Sequence, residues 1–209
     1  IAFLCAVNGE SVTGAVVLAP KAAAEIVSDP IQTAVFASSV QKETSRFAGK
    51  IGEVVASPLL TIVDDATVAD GFASTAFDRE GCAPEVLPLI DHGVLRNYLY
   101  DGYTARREGR ASNGHAGGGA SSVPHVTSTN VVMRPGETGL EDILAGVDRG
   151  ILVTRFAGNV DPVSGDFSGS VKGGRAIRSG KVAEPISGTM IAGNTFDLLP
   201  SLSAVSSER

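Results

Sequence analysis

One stretch of the sequence decides the fold, and it reads Phe167-Ser-Gly-Ser-Val-Lys-Gly-Gly-Arg-Ala-Ile-Arg-Ser-Gly-Lys-Val-Ala-Glu-Pro-Ile-Ser-Gly-Thr-Met-Ile191. Its short runs alternate with Gly173-Gly174, Ser179-Gly180 and Gly188, which are turn signals. Short runs that contain valine or isoleucine and are separated by such turns are typical of antiparallel strands that follow one another in a sheet. The stretch therefore predicts an antiparallel β meander.

Helical patterns lie outside this meander. Pro20 opens the first one, and we predict a helical segment over residues 20–45. Because proline lacks a backbone N–H, we expect a break and a restart at Asp29-Pro30. Asn194 is predicted to cap a last helix. Strands that cluster while helices only punctuate them indicate an α+β class, with a mostly antiparallel sheet and a few short helices.

The beginning of the chain predicts a hairpin. Two apolar runs, Ile1–Val7 and Val12–Ala19, flank Asn8-Gly9, so we expect an opening hairpin over residues 1–19. Residues 59–209 are predicted to form the main β-rich body, and the length favours one domain over residues 1–209. Since the chain starts at Ile1 and not at methionine, it is interpreted as a piece of a longer chain, with any targeting signal upstream.

Composition and charge exclude several classes of partner. The chain has 209 residues, 25 glycines, no tryptophan and a net charge of −6. Its densest basic group, Arg106, Arg107 and Arg110, lies beside acidic residues, which argues against binding to nucleic acid or to an anionic membrane surface. No apolar run approaches the roughly 18 residues of a membrane span. Cys5 and Cys82 are not in a metal-binding spacing and are predicted to be reduced thiols.

The glycine-rich segment of residues 111–122 does not predict a phosphate loop, because it lacks the lysine that reaches the phosphates. The three histidines are His92, His115 and His125, and no two of them have the spacing of metal ligands on a helix. His115 is the one within the glycine-rich segment. The histidines alone therefore predict no metal centre.

Carboxylates in a long polar loop leave one alternative open. The loop contains Asp64, Asp65, Asp78 and Glu80, and His115 belongs to the glycine-rich segment. Carboxylates and imidazole are the usual groups of acid–base catalysis. No Gly-x-Ser-x-Gly nucleophile motif accompanies them. A stand-alone hydrolase with a site at these five residues is therefore one hypothesis.

Nine segments, taken in order, resemble one known family. They are Phe47-Ala-Gly-Lys-Ile-Gly52, Leu60-Thr-Ile-Val-Asp-Asp65, Phe77-Asp-Arg-Glu-Gly81, Tyr98-Leu-Tyr-Asp-Gly-Tyr-Thr-Ala-Arg-Arg107, Thr129-Asn130, Pro135-Gly136, Arg149-Gly150, Ser164-Gly-Asp-Phe-Ser168 and Ile191-Ala-Gly-Asn194. In this order and spacing they resemble the TldD/PmbA family, long labelled modulators of DNA gyrase and also described as U62-like peptidases. The resemblance extends from about Val17 to about Val205 and corresponds to the C-terminal half of a family member.

The resemblance implies a fold and an activity. It implies the C-terminal domain of the TldD/PmbA fold, and a cytoplasmic metalloprotease in which TldD and TldE (also called PmbA) subunits form a heterodimer. The TldD subunit binds zinc through His-Glu-x-x-x-His on a helix and a later cysteine, and its glutamate activates the metal-bound water. Family substrates are unfolded, extended or modified peptides.

The zinc motif is substituted in this chain. In the family the zinc helix follows a Leu-x-Pro strand end, which matches Leu18-Ala-Pro20. Counting onward, the two histidine positions fall on Ser28 and Thr33, and the glutamate position falls on Asp29. Hydroxyl groups are poor zinc ligands compared with imidazole, so we expect no zinc and no catalytic residue in this chain. The later cysteine position falls at or beyond Arg209.

The resemblance also assigns a branch. Gly114-His-Ala-Gly-Gly118 is similar to the PmbA/TldE branch, which implies a non-catalytic subunit that has a structural and substrate-handling role. The implied partner is a TldD-type catalytic subunit, in which zinc is expected, or a second copy of this chain. His115, Thr129 and Asn130 are predicted to line a substrate groove for an extended peptide. A protein-binding modulator of DNA gyrase stays open as another alternative.

Overall fold

The structure, a computed structural model, describes residues 7–8 and 14–208. Its helices are α1 (Pro20–Val35), α2 (Ala37–Gln41), α3 (Gly102–Arg107), α4 (Leu140–Ala145) and α5 (Thr195–Ser201). Its strands are β1 (Val7–Asn8), β2 (Ala15–Leu18), β3 (Ile62–Asp64), β4 (Leu87–Asp91), β5 (Val94–Leu95), β6 (Ala116–Gly117), β7 (His125–Val126), β8 (Val131–Met133), β9 (Arg149–Val153), β10 (Arg155–Val160), β11 (Asp166–Lys172), β12 (Arg175–Arg178), β13 (Lys181–Ser187) and β14 (Met190–Asn194).

The chain divides into two compact units, where the sequence predicts one domain. The first unit comprises the described residues up to Pro30, Pro135–Leu198 and the residues from Ser203 onward. The second unit comprises Ile31–Arg134 and Leu199–Leu202. The boundaries between the units fall within α1 and α5, so both helices contribute residues to each unit.

The first unit contains two sheets. A five-stranded sheet has the order β1-β13-β12-β9-β2, and a three-stranded sheet has the order β10-β11-β14. The first part of α1 packs on these sheets, where Ala22 contacts Val153 and Ile26 contacts Phe156 and Phe167. The two phenylalanine rings meet edge to face, with centroids 5.9 Å apart. Burial of this apolar face of α1 is what stabilises the helix.

The second unit is built on a four-stranded antiparallel sheet. Its strand order is β5-β4-β3-β8, and β6 and β7 form a separate two-stranded sheet. A tight turn at His92-Gly93 joins β4 to β5, and the two strands pair as a hairpin. The turn places His92 and Gly93 at φ +47° and +79°, the left-handed conformation that such tight turns require. The hairpin therefore fixes one edge of this sheet.

The α+β fold class is confirmed, and the connections between strands differ from the prediction. The predicted meander is distributed over both sheets of the first unit, because β12 and β13 pair with each other while β14 returns to β11. Most pairs are antiparallel, but β1 with β13 and β2 with β9 are parallel. The opening hairpin is wrong for the described residues, since β1 and β2 lie at opposite edges of the five-stranded sheet. Residues 1–6 and 9–13 of that prediction lie outside the described residues.

The predicted break at Asp29-Pro30 is also wrong, because α1 continues through Pro30. A proline within a helix leaves the carbonyl four residues earlier without its usual donor. Here that carbonyl belongs to Ile26, and the buried hydroxyl of Thr195 donates to it at 3.0 Å. Thr195 thus replaces the missing backbone N–H and stabilises the continuous helix.

The predicted cap of the last helix is confirmed, because the side-chain oxygen of Asn194 accepts from the N–H of Phe196 at 2.9 Å.

Candidate functional site

The three residues predicted to fall at zinc-motif positions lie along α1. Ser28 and Thr33 are partly buried, and Asp29 is exposed. The helix α1 continues through Pro30, so the proline does not interrupt it. The chemistry of the side chains at Ser28, Asp29 and Thr33 therefore decides whether α1 could bind zinc. Two hydroxyls and one carboxylate do not form a donor set suited to zinc, which prefers imidazole and thiolate.

The described residues near Ser28 and Asp29 offer no imidazole or thiolate that could replace the missing zinc ligands. The described residues of the first unit include no histidine and no cysteine. Across all the described residues, no group of three or more histidine, cysteine, aspartate or glutamate side chains is placed to hold a metal ion. The residues present therefore do not fit the zinc centre of the family motif.

A groove of about 590 Å³ lies beside the same helix. Its lining residues are Lys21, Ala24, Glu25, Ser28 and Asp29 from α1, with Phe156, Ala157, Gly158 and Val160 from β10. Glu25 ties the helix to the strand, because its carboxylate accepts from the N–H of Phe156 at 2.6 Å. The groove thus places Ser28 and Asp29 opposite the edge of a sheet.

His115, predicted to line a substrate groove, is buried in the second unit. Its Nε2 lies 3.1 Å from Oδ1 of Asp64, and neither side chain has exposed surface. The other oxygen of Asp64 accepts from the N–H of Thr129 at 2.8 Å, and the Thr129 hydroxyl also donates to Asp64. In this structure His115 does not line a groove, because Asp64 at the end of β3 holds the ring inside the fold.

Asn113 holds the other side of the His115 ring. The side-chain oxygen of Asn113 accepts from the N–H of Tyr100 at 2.8 Å and from Nδ1 of His115 at 2.9 Å. Its amide nitrogen donates to the carbonyl of Tyr98 at 2.9 Å, which fixes the orientation of the amide group. Both ring nitrogens of His115 thus lie within hydrogen-bond distance of side-chain oxygens, which hold the ring in place.

Thr129 and Asn130 are partly buried at the start of β8. Asn130 donates to the carbonyl of Asp65 at 2.8 Å and accepts from the N–H of Ala73 at 3.1 Å, so it holds the polar loop in place. The backbone amide of Thr129 donates to Asp64. These contacts explain the two residues structurally, and their role in a substrate groove stays a prediction.

The carboxylates of the hydrolase hypothesis also have structural partners. One oxygen of Asp78 accepts from the N–H groups of Glu80 and Cys82, both at 2.9 Å, and the other accepts from Ala116 at 2.9 Å. Glu80 accepts from the N–H of Gly102 at 2.6 Å at the start of α3. Asp65 accepts from the hydroxyl of Thr67 at 2.6 Å and from its N–H at 2.8 Å, and these bonds lower the pKa of its carboxyl group.

Two important residues have no strong signal in the sequence. Arg79 donates to the carbonyls of Gly118, Gly119 and Ser122, and so holds the glycine-rich segment. Thr195 follows the predicted cap directly, but its contact with Ile26 depends on a partner 169 residues away. The sequence gives one hint of a role for Arg79, which is its place beside Asp78 in the family segment Phe77-Asp-Arg-Glu-Gly81.

Tyr100 gives a pH-dependent prediction. Burial and the hydrogen bond to Glu108 raise the pKa of Tyr100 to about 12, although Arg110 opposes the shift. Above pH 10 the unfolded chain would lose this proton first, so folding stability is expected to fall between about pH 10 and 12. The chain has three tyrosines and no tryptophan, so a pH-jump titration of tyrosinate absorbance resolves the step. Y100F should remove the step near pH 12, and exposed Tyr103 supplies the control Y103F, which should keep it.

Comparisons with known proteins identify the family to which the chain is similar. The family model described as the PmbA/TldA metallopeptidase C-terminal domain matches residues 11–209. A metalloprotease TldD homolog of Haemophilus influenzae is 36% identical over 169 residues, which cover 79% of this chain and 35% of that protein. No helix among the described residues has both the length and the apolar character needed to cross a membrane.

Two solved structures share the fold. TldE from Thermococcus kodakarensis matches with a TM-score of 0.84 at 31% identity, over 92% of this chain and 44% of that chain. A protein from Thermotoga maritima described as a putative modulator of a DNA gyrase matches with a TM-score of 0.83 at 29% identity, over 94% and 46%. The chain spans less than half the length of these relatives. From the family match and these structures together, the chain belongs to the TldD/PmbA metallopeptidase family, whose C-terminal domain it matches.

Proposed function

We propose that this chain acts as a TldE/PmbA-like, non-catalytic subunit that pairs with a zinc-binding TldD-type subunit and helps to handle extended peptide substrates. The observation that supports the proposal most strongly is the set of side chains on α1. By the count from Leu18-Ala-Pro20, Ser28, Asp29 and Thr33 fall at the positions of the family's zinc motif, and all three lie on the helix α1. A subunit that keeps the fold and lacks the ligands fits a structural role beside a catalytic relative.

The stand-alone hydrolase is less well supported. Asp64 and His115 are fully buried and bonded to each other, and Asp78 accepts three backbone hydrogen bonds. A general acid or base must reach the substrate directly or through one water. Buried groups that are saturated by structural partners do not meet that requirement.

Reconstitution with a catalytic relative tests the proposed function. This chain is expressed together with the His-Glu-x-x-x-His family member of the same cell, and the complex is purified through a tag on one chain. We expect a stable complex that cleaves extended peptides, while this chain alone cleaves none. Cleavage by this chain alone would overturn the non-catalytic role, and failure to form a complex would overturn the pairing.

Matched substitutions separate the two subunits. Alanine at the second motif histidine of the relative is expected to abolish cleavage, because it removes a zinc ligand. Thr33→Val at the corresponding second motif position of this chain should leave cleavage by the complex unchanged. A loss of cleavage with Thr33→Val in an intact complex would argue against the proposed division of roles.

A further inference from the structure

Two phenylalanines of the second unit are exposed on the polar loop that follows β3. Phe72 and Phe77 have relative exposures of 110% and 65%. They bound the run Phe72-Ala-Ser-Thr-Ala-Phe77, in which every residue is exposed and none is charged. The phenylalanines that the structure buries are Phe47, Phe156, Phe167 and Phe196. Contiguous exposed apolar surface marks sites of interaction, so this run indicates a docking surface.

Residues 68–74, the Phe72 turn, have a backbone that is fixed by hydrogen bonds on both sides of the ring. The N–H of Gly71 donates to the carbonyl of Val68 at 3.1 Å, and the N–H of Ser74 donates to the carbonyl of Gly71 at 3.2 Å. The hydroxyl of Ser74 also donates to the Val68 carbonyl, at 2.6 Å. Phe72 therefore projects from a turn whose backbone conformation is already defined.

Asn130 ties the Phe72 turn to the start of β8. Its side-chain oxygen accepts from the N–H of Ala73 at 3.1 Å, and its amide nitrogen donates to the hydroxyl of Ser74 at 2.9 Å. Gly71 packs against the same amide, because a Cβ at Gly71 would lie 2.8 Å from the side-chain oxygen of Asn130. Asn130 thus holds the residues before and after Phe72 and leaves the ring in solvent.

A side chain presented in this way is suited to binding another protein. Aromatic residues are enriched at the centres of protein interfaces, where each one fills a pocket of the partner. Because the backbone of the Phe72 turn is already fixed, little conformational freedom is lost when the ring binds, and affinity rises accordingly. The ring of Phe72 therefore fits an apolar pocket of a protein partner.

The charge beside Phe72 narrows the choice of partner. Asp70 is exposed and has no ion-pair partner among the described residues. Lysine or arginine at the border of the pocket would complement this carboxylate. A second copy of this chain is a poor match, because its groove beside α1 holds Glu25 and Asp29 against Lys21 and its net charge is −6. The charge thus favours a different protein as the partner.

We propose that the Phe72 turn docks this chain on its TldD-type partner, with the Phe72 ring in an apolar pocket bordered by lysine or arginine. The proposal rests on the pairing of subunits proposed above, and it names the surface that this chain contributes. Asn130 acts as a positioning residue, because it holds the turn and supplies none of the exposed aromatic surface.

Affinity measurements with the partner test the docking surface. This full chain and its His-Glu-x-x-x-His relative are purified separately, and the Kd of their complex is measured by calorimetry. Phe72→Ala is expected to raise the Kd about tenfold or more, because it truncates an aromatic anchor. Phe72→Leu keeps an apolar side chain and should raise the Kd less. Since the ring is exposed, both variants should unfold at the same urea concentration as the wild type.

Val54 supplies the control for these substitutions. It is exposed and pairs with Val94 of β5, at the sheet edge opposite to β8. We expect Val54→Ala to leave the Kd unchanged, and equal losses for Val54→Ala and Phe72→Ala would contradict the proposal.

The outcomes separate this surface from the pairing itself. A complex that Phe72→Ala leaves equally tight would overturn the docking surface and keep the pairing. Absence of a complex with the wild type would overturn the pairing, and the docking with it. A dimer of this chain alone that Phe72→Ala converts into a monomer would assign the Phe72 turn to a second copy instead.

A double-mutant cycle tests the positioning role of Asn130. Asn130→Ala is expected to weaken binding several-fold, although the Phe72 ring is still present. In the Phe72→Ala background the same substitution should have little further effect, because no ring remains to be positioned. Additive effects of the two substitutions in folded variants would contradict this role.

Asp70→Asn tests the charge at the border of the pocket. Asn tolerates the left-handed φ of +57° at this position, so the substitution removes the charge and keeps the backbone. We expect slower association with the partner at low salt and a smaller effect of salt on the association rate, measured by surface plasmon resonance. An unchanged salt dependence would overturn the basic border of the pocket.

Discussion

Asp64→Ala is expected to lower the free energy of unfolding by about 2–6 kcal/mol, because it leaves two hydrogen-bond donors inside the fold without their acceptor, at about 1–3 kcal/mol each. The substitution leaves Nε2 of His115 and the N–H of Thr129 without their acceptors inside the second unit. Because Asp64 joins the end of β3 to both residues, we expect the loss to affect the whole unit. Urea unfolding followed by circular dichroism measures the change.

The neighbouring carboxylate supplies the control. Asp65 is more exposed than Asp64 and accepts from Thr67, two residues along the chain. We expect Asp65→Ala to have a much smaller effect, since exposed polar contacts contribute little to stability. Similar losses for the two substitutions would contradict the structural role assigned to the Asp64–His115 pair.

Thr195→Val is expected to destabilise the chain by about 1–3 kcal/mol, because it leaves the buried carbonyl of Ile26 without a donor. Valine has nearly the same shape as threonine, so the change removes the hydroxyl and keeps the packing. The hydroxyl donates at 3.0 Å in a fully buried position. The expected loss is measured by urea unfolding against the wild type.

A double-mutant cycle identifies the cause of that loss. Pro30→Ala restores a backbone N–H that can donate to the Ile26 carbonyl within α1. Thr195→Val should therefore cost clearly less in the Pro30→Ala background than in the wild type. An identical cost in both backgrounds would show that Thr195 does not compensate for the proline.

The helix α1 illustrates what the sequence can predict. Its apolar spacing and Pro20 predict a helical segment, and the segment is present. Its continuity through Pro30 could not be predicted, because the compensating hydroxyl of Thr195 comes from a distant part of the chain. The strands of residues 167–191 show the same limit. Turn glycines locate strands, whereas the choice of partner strand depends on contacts between distant residues.

The candidate site was only partly predictable for a similar reason. Ser28, Asp29 and Thr33 could be located by the resemblance, since their positions follow from a count along the chain. The burial of His115 depends on Asp64 and Asn113, whose contacts with the ring exist only in the folded chain. From the sequence alone, a histidine within a glycine-rich segment resembles a site residue whether its ring is buried or exposed.

Zinc content distinguishes a non-catalytic subunit from a catalytic one. The full chain and its His-Glu-x-x-x-His relative are purified separately without affinity metals, supplied with zinc, dialysed and analysed by elemental mass spectrometry. We expect one zinc per chain in the relative and essentially none in this chain, because Ser28 and Thr33, at the predicted positions of the two histidines, offer only hydroxyl groups. One tightly bound zinc per copy of this chain, lost on substitution of Ser28, Asp29 or Thr33, would contradict the proposed non-catalytic role.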